Sequence, residues 1–266
     1  MRRAGFKGMD MAELIRVEPA TSALVPTGNY VPVELGAAVV GYVPPATANI
    51  LWRAGVGGAP RCVAVADAAG LGAAATVLQA AGLFAPRGED FDVRVGLAGP
   101  VLARVDRGAL PCLGLEAQGV HVNGLVRGPD GPLLWVARRA ASKALDAGKL
   151  DHIVAGGSCA GMDAPTTLVK EAAEEAGLPA HLARQAMPVG VISYVLARPE
   201  GLRRDRLHCF DLHLPPDYVP VPRDGEVESF FLLPLPKVLA LLRAGDDFKF
   251  NVRPVLLDLL ARHGVM

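Results

Sequence analysis

Residues 156–178 read GGSCAGMDAPTTLVKEAAEEAGL. The second half of this stretch predicts a short helix with clear ends. Asp163 is a good N-cap, and Pro165 sits in the first turn, where a missing N–H costs nothing. Gly177 suits the left-handed position after the helix, and Pro179 stops it. On a helical wheel Leu168, Val169, Ala172, Ala173 and Ala176 fall on one side, and Glu171, Glu174 and Glu175 on the other. Three carboxylates this close repel one another. A divalent cation turns that repulsion into binding, and hard oxygen ligands of this kind suit Mg²⁺ or Mn²⁺, the metals that work on phosphates. Without further context an acidic helix face facing solvent is the simpler reading.

The context is an apolar strand, Ile153-Val154-Ala155, then Gly156 and Gly157, with Lys170 just before the first Glu. Working outward, 120–137 alternates around His121 and Asn123, turns at Gly128-Pro-Asp-Gly131 and continues as Leu133–Ala137, which predicts a β-hairpin. Strands are expected at 190–197, 207–214 and 226–233, and closing helices at 237–244 and 252–263. Before residue 112 the pattern predicts strands within 32–44, at 61–66, 92–95 and 102–105, and helices at 11–16, 46–53 and 71–83. The fold class is therefore α/β. The expected organisation is a leader (1–30), a small α/β domain (31–112) and a larger domain (113–266).

The 266 residues are 51% hydrophobic and 20% charged, a globular composition, and the formal net charge is zero. That balance does not point to nucleic acid or an anionic membrane as partner. No run of about 18 apolar residues predicts a membrane span. The four cysteines lie far apart without a CxxC pair, as expected of buried thiols in a cytoplasmic protein. The expected partner is a small molecule, and the expected state a monomer or homodimer.

The stretch resembles the Nudix box: a glycine, then at fixed spacing an acidic position, a basic-Glu pair, and Glu-Glu-x-Gly-apolar. Counting back from Gly177 puts the box glycine at Gly156, the basic position at Lys170 and the Glu set at 171, 174 and 175. Lys170 stands where Arg is usual. The early acidic position falls on Met162, with Asp163 one place later; taking Gly157 as the box glycine would bring Asp163 into register. The segments KLDHIVAGG, LVKEAAEEAGLP, GVISYVLARPEGL, FDLHLPPDYVPVPRDGEVESF and FKFNVRPVLLDLLARHG resemble one Nudix subfamily, whose members occur alone or fused ahead of fungal thiamine pyrophosphokinase. GVHVNGLV, LLWVARRAASK and VVGYVPPATANIL extend the likeness upstream. The resemblance implies a Nudix α/β/α sandwich with a mixed sheet, preceded by a small N-terminal α/β domain. It also implies hydrolysis of the diphosphate of oxidised or otherwise damaged thiamine diphosphates to the monophosphate, a metabolite-repair activity. Two other readings stand beside it. One is a Nudix diphosphatase for ADP-ribose or dinucleotides. The other is a binding module without turnover, which Lys170 and Met162 favour and the intact Glu set opposes.

For such a site the expected metal ligands are Glu171, Glu174 and Glu175, the backbone carbonyl of Gly156, and Glu228 from a later strand, where Glu226 and Glu228 share a face. Lys170 is expected to orient a neighbouring Glu or to meet phosphate as a point charge. Arg138, Arg139 and Lys143 form the densest basic cluster near the box, and guanidinium is well matched to phosphate. Arg138 and Arg139 point to opposite faces of a strand, so at most one meets substrate. His121 and the flat ring of Trp135 complete the expected substrate-binding set.

Overall fold

A computed structural model of the chain describes residues 24–58, 61–245 and 247–266. The helix expected at 11–16 and most of the expected leader lie outside the described residues. The chain divides into two compact units. The first runs, within the described residues, from 24 to Ala117 and adds Ile192–Arg206; the second is Gln118–Val191 with Leu207–Met266.

In the first unit β1 (Val31–Leu35) and β2 (Ala38–Val43) form a hairpin. Helix α1 (Pro45–Arg53) follows, and β3 (Val63–Val65) then pairs with β1 in parallel, so this three-stranded sheet is mixed. Helix α2 (Ala68–Ala80) is capped by Asp67, whose side chain accepts from the Gly70 N–H at 2.9 Å. β4 (Asp90–Val93) and β5 (Ala103–Asp106) pair antiparallel, and a short α3 (Ala109–Leu113) closes the run. Sequence did not predict α3 because it contains Pro111. At the third helical position that proline lacks an N–H that would have had no intrahelical partner anyway. Val33, Leu51, Leu71, Leu78, Val93 and Leu113 are fully or almost fully buried in the core of this unit.

Seven strands make the main sheet: β6 (Glu116–Gly128), β7 (Gly131–Arg139), β8 (Leu150–His152), β9 (Val154–Gly157), β10 (Met187–Arg198), β11 (Gly201–His213) and β12 (Val227–Pro234). Their order is β10-β11-β6-β7-β12, with β8 on β7 and β9 on β6. The expected hairpin is β6–β7, turning at Pro129-Asp130. Strand alternation splits the second unit's apolar residues between two cores. Val120, Val122, Val126 and Trp135 pack with Leu168, Ala172 and Ala176 of α4 (Ala164–Ala176). Leu125, Leu134 and Val136 pack on the other face with α6 (Leu235–Ala244) and α7 (Val252–Arg262). The result is helix, sheet, helix; a short α5 (Ala180–Ala183) follows α4. Burying each such side chain stabilises the fold by roughly 1.5–3 kcal/mol. Among the described residues no helix is long and apolar enough to cross a membrane.

Candidate functional site

Helix α4 is fixed at both ends by the residues that predict it. The Asp163 side chain accepts from the Thr166 N–H at 2.9 Å. Gly177 takes the left-handed conformation (φ 61°). The last carbonyl, that of Ala176, accepts from the Tyr218 hydroxyl and from the Val221 N–H, both at 3.0 Å. The buried stripe differs from the helical wheel. Thr167, Leu168, Ala172, Glu175 and Ala176 are buried, whereas Ala173 is exposed. Glu175 goes inward because its carboxylate accepts the Ala155 N–H of β9 at 2.8 Å, a backbone donor that needs a partner once α4 covers it.

Glu171 lies against the same strand. Gly156 pairs with Val120 in the sheet, and a Cβ placed on it would run into the Glu171 carboxyl group. Any side chain at 156 would force Glu171 to move. Glu174 is exposed. The Lys170 ammonium bridges the two outer carboxylates, 3.0 Å from Glu171 Oε1 and 2.7 Å from Glu174 Oε2. Burial works against the charge of Lys170, but these two hydrogen bonds hold its pKa above the usual lysine value. Burial pushes the Glu175 carboxyl well above the usual carboxylate range, and the negative charges of Asp151 and Glu171 add to that push, while the Ala155 N–H and the positive charge of Lys249 oppose it. A divalent cation would relieve the repulsion at this face. The donor set fits one: three carboxylates of graded exposure and a backbone carbonyl beside a glycine kept bare for Glu171. These are the hard oxygen ligands that Mg²⁺ and Mn²⁺ take.

The other expected residues are dispersed. Arg139 is buried and donates to Asp151 Oδ2 at 2.9 Å and to the Leu145 carbonyl at 3.1 Å, so its charge is spent inside the protein. Lys143 forms an ion pair with Glu226. Trp135 is packed in the α4-side core, so its ring is covered by apolar side chains and does not form the expected platform. His121 is buried as well, with Nδ1 2.8 Å from Nδ1 of His152 and the rings edge to face. Glu228 is exposed at an irregularity of β12, beside the positions paired with Arg138 and Arg139. Arg138 is on the face of β7 opposite Arg139, as alternation requires, with its guanidinium 5.5 Å from the centre of the Phe231 ring.

Sequence reasoning missed a buried charged cluster. Asp151 accepts from Arg139, from Lys249 Nζ at 3.1 Å and from the His152 N–H at 2.9 Å. Burial alone would raise its pKa, but the positive charges of Lys249 and Arg139 hold it well below the usual carboxylate range. Lys249 arrives on a segment whose backbone pairs with β8: Leu150 N–H donates to Asp247, and Lys249 N–H donates to Leu150. His121, Asp151 and His152 also lie close enough to share a cation, with a ligand atom of each within 4.8 Å of the others. Two imidazoles and one carboxylate would suit a softer transition metal better than Mg²⁺. The readable signal was the pair Asp151-His152, two polar residues set between Leu150 and the apolar Ile153-Val154-Ala155.

No protein-family profile matches the chain. Among curated proteins it is 42% identical over 178 residues to Nudix hydrolase 20, chloroplastic, of Arabidopsis thaliana, covering 67% of this chain and 48% of that protein. It is 41% identical over 180 residues to Nudix hydrolase 24, chloroplastic, of the same plant, covering 68% and 49%. The chain belongs to the Nudix hydrolase family. It spans about half the length of these two relatives. The crystal structure of DR0079 from Deinococcus radiodurans covers 64% of this chain and 98% of its own, with a TM-score of 0.50 at 21% identity, a likeness of fold. Helix α4 with β9 is the element that presents Glu171, Glu174 and Glu175, the residues expected from the sequence to be the box carboxylates.

Proposed function

We propose that the protein is a Mg²⁺- or Mn²⁺-dependent pyrophosphohydrolase. It cleaves the diphosphate of thiamine diphosphate analogues, above all oxidised or damaged forms, to the monophosphate plus phosphate. The observation that carries the diphosphatase reading is the seating of Glu171 and Glu175 on the backbone of β9, with Glu174 beside them toward solvent. Glu171, Glu174, Glu175 and the Gly156 carbonyl would hold the cation, and Glu228 is the added ligand this reading allows. When bound, the cation supplies Lewis-acid polarisation of phosphoryl oxygen and a water of lowered pKa. Lys170 orients Glu171 and Glu174. Arg139 and Lys249 keep Asp151 charged and in place behind the site.

The substrate rests on the resemblance of most of residues 31–266, dense in the second half and thin between about 60 and 110, to the subfamily related to the Nudix domain fused to thiamine pyrophosphokinase. The same reading takes 31–112 as a small accessory α/β domain and places the protein in the cytoplasm as a monomer or homodimer. A kcat/KM comparison tests it. Oxidised thiamine diphosphates should lead ADP-ribose and dinucleotides, and a preference for ADP-ribose by about a hundredfold, near 2.7 kcal/mol of transition-state discrimination, would overturn it.

One observation favours a second reading, a Nudix module that binds without turnover. Lys170 already neutralises the two outer carboxylates from within the helix. Tight binding of a diphosphate ligand with no Mg²⁺-stimulated phosphate release would establish that reading.

A further inference from the structure

A groove of about 410 Å³ opens beside Arg138, lined by Lys149, Phe231, Leu233, Leu241 and Asp247 among others. It lies on the sheet face opposite α4. Arg138 alternates with Arg139, and Leu134 and Val136, which share its side of β7, pack on α6 and α7. The groove is therefore separate from the box carboxylates.

Its chemistry is specific. The Arg138 guanidinium lies over Phe231 and donates from Nη1 to the Gly148 carbonyl at 2.8 Å. That bond and the ring fix the guanidinium plane. Arg138 has no carboxylate partner among the described residues, in contrast to Arg139 with Asp151 and Lys149 with Asp146. Phe231 is 39% exposed, a large apolar ring left uncovered on the edge strand. A pre-oriented guanidinium with free N–H groups beside an open ring and two leucines matches an anionic group on a flat apolar body. Asp247 on the rim disfavours a second negative charge.

We propose that this groove is a second ligand site, which takes a small organic anion carrying one phosphate or carboxylate on an aromatic body. Calorimetric titration tests it, with phenyl phosphate and benzoate as probes and inorganic phosphate as the ringless control, in metal-free buffer. Phenyl phosphate should bind the wild type more tightly than inorganic phosphate does. Arg138→Gln should weaken it about tenfold or more, the value of one charge-assisted hydrogen bond. Phe231→Leu should weaken phenyl phosphate but leave inorganic phosphate unchanged, and Glu175→Gln should alter neither. Arg138→Lys, which keeps the charge without the planar fork, should fall between wild type and Arg138→Gln. Equal affinity in wild type and Arg138→Gln, loss of binding in Glu175→Gln, or no binding at millimolar probe would each overturn the proposal. A benzoate affinity above that of phenyl phosphate would assign the site to carboxylates.

Discussion

The carboxyl group of Glu171 occupies the space that a side chain on Gly156 would need. A β-strand and a helix are thereby brought together at a point where a side chain on 156 and the present position of the Glu171 carboxyl exclude each other. Gly156→Ala should displace Glu171 and cost about 1–3 kcal/mol of stability, the usual effect of forcing a methyl into a filled space. Half-saturating Mg²⁺ in the turnover assay should rise with it. A variant with wild-type melting and an unchanged Mg²⁺ requirement would show that the contact holds no ligand in place.

Glu175 and Glu174 differ in burial, and their glutamine variants separate ligand charge from packing. Either change keeps side-chain size but removes a full negative charge, so diphosphatase activity should fall by orders of magnitude, each ~1.4 kcal/mol being tenfold in rate. Without metal, stability should hold or rise. The pKa of Glu175 in the fold lies above its ordinary value, so its contribution to stability is complete at low pH and is lost as pH rises through the folded value. Glutamine does not titrate and escapes that loss, so the apo melting temperature of Glu175→Gln should equal or exceed that of wild type at neutral pH. Full activity in both variants would reduce α4 to a solvated acidic face.

The ends of α4 were legible because Asp163, Pro165 and Gly177 act within a few residues of themselves. The β6–β7 hairpin was legible for the same reason. What the wheel misjudged was Glu175, since its inward turn depends on the Ala155 N–H, a donor on another element 20 positions away. The basic cluster was legible in part. Alternation already separated Arg138 from Arg139, but the partners that hold them and Lys143, namely Phe231, Asp151 and Glu226, lie on other elements or far along the chain. Asp151 and Lys249 are 98 positions apart, a separation at which no spacing rule operates.

That ion pair makes a stability prediction. Among the described residues Asp151 is the carboxylate that pairs with both Arg139 and Lys249, and all three are buried. Asp151→Ala would leave two buried cations uncompensated and should cost about 3–5 kcal/mol. Lys249→Met should cost less, because Arg139 still pairs with Asp151 and the methionine fills the volume. Chemical denaturation of the two variants checks the order, and a reversal would mean that Lys249 rather than Asp151 organises the cluster.

The His121–His152 pair predicts how the protein responds to acid. Burial lowers the pKa of His152 to about 4 and that of His121 well below its ordinary 6.5; the positive charge of Lys249 adds to both shifts, and the carboxylate of Asp151 opposes them. Both rings are therefore neutral at pH 7, with one proton between the facing nitrogens. A depressed histidine pKa contributes stability that is complete above the unfolded value and is lost as pH falls through the folded one. The window for His152 thus runs from 6.5 down to about 4. Across it the loss from this one residue amounts to roughly 3 kcal/mol. His152→Gln keeps an amide to bond His121 but removes the titration, so its melting temperature should fall less steeply than that of wild type over the same window. Above pH 7 the variant should melt at or below the wild-type temperature, since the exchange of partners brings no compensating gain there. Parallel pH profiles for the two proteins would place the protonation of His152 outside this window and the ring in contact with water.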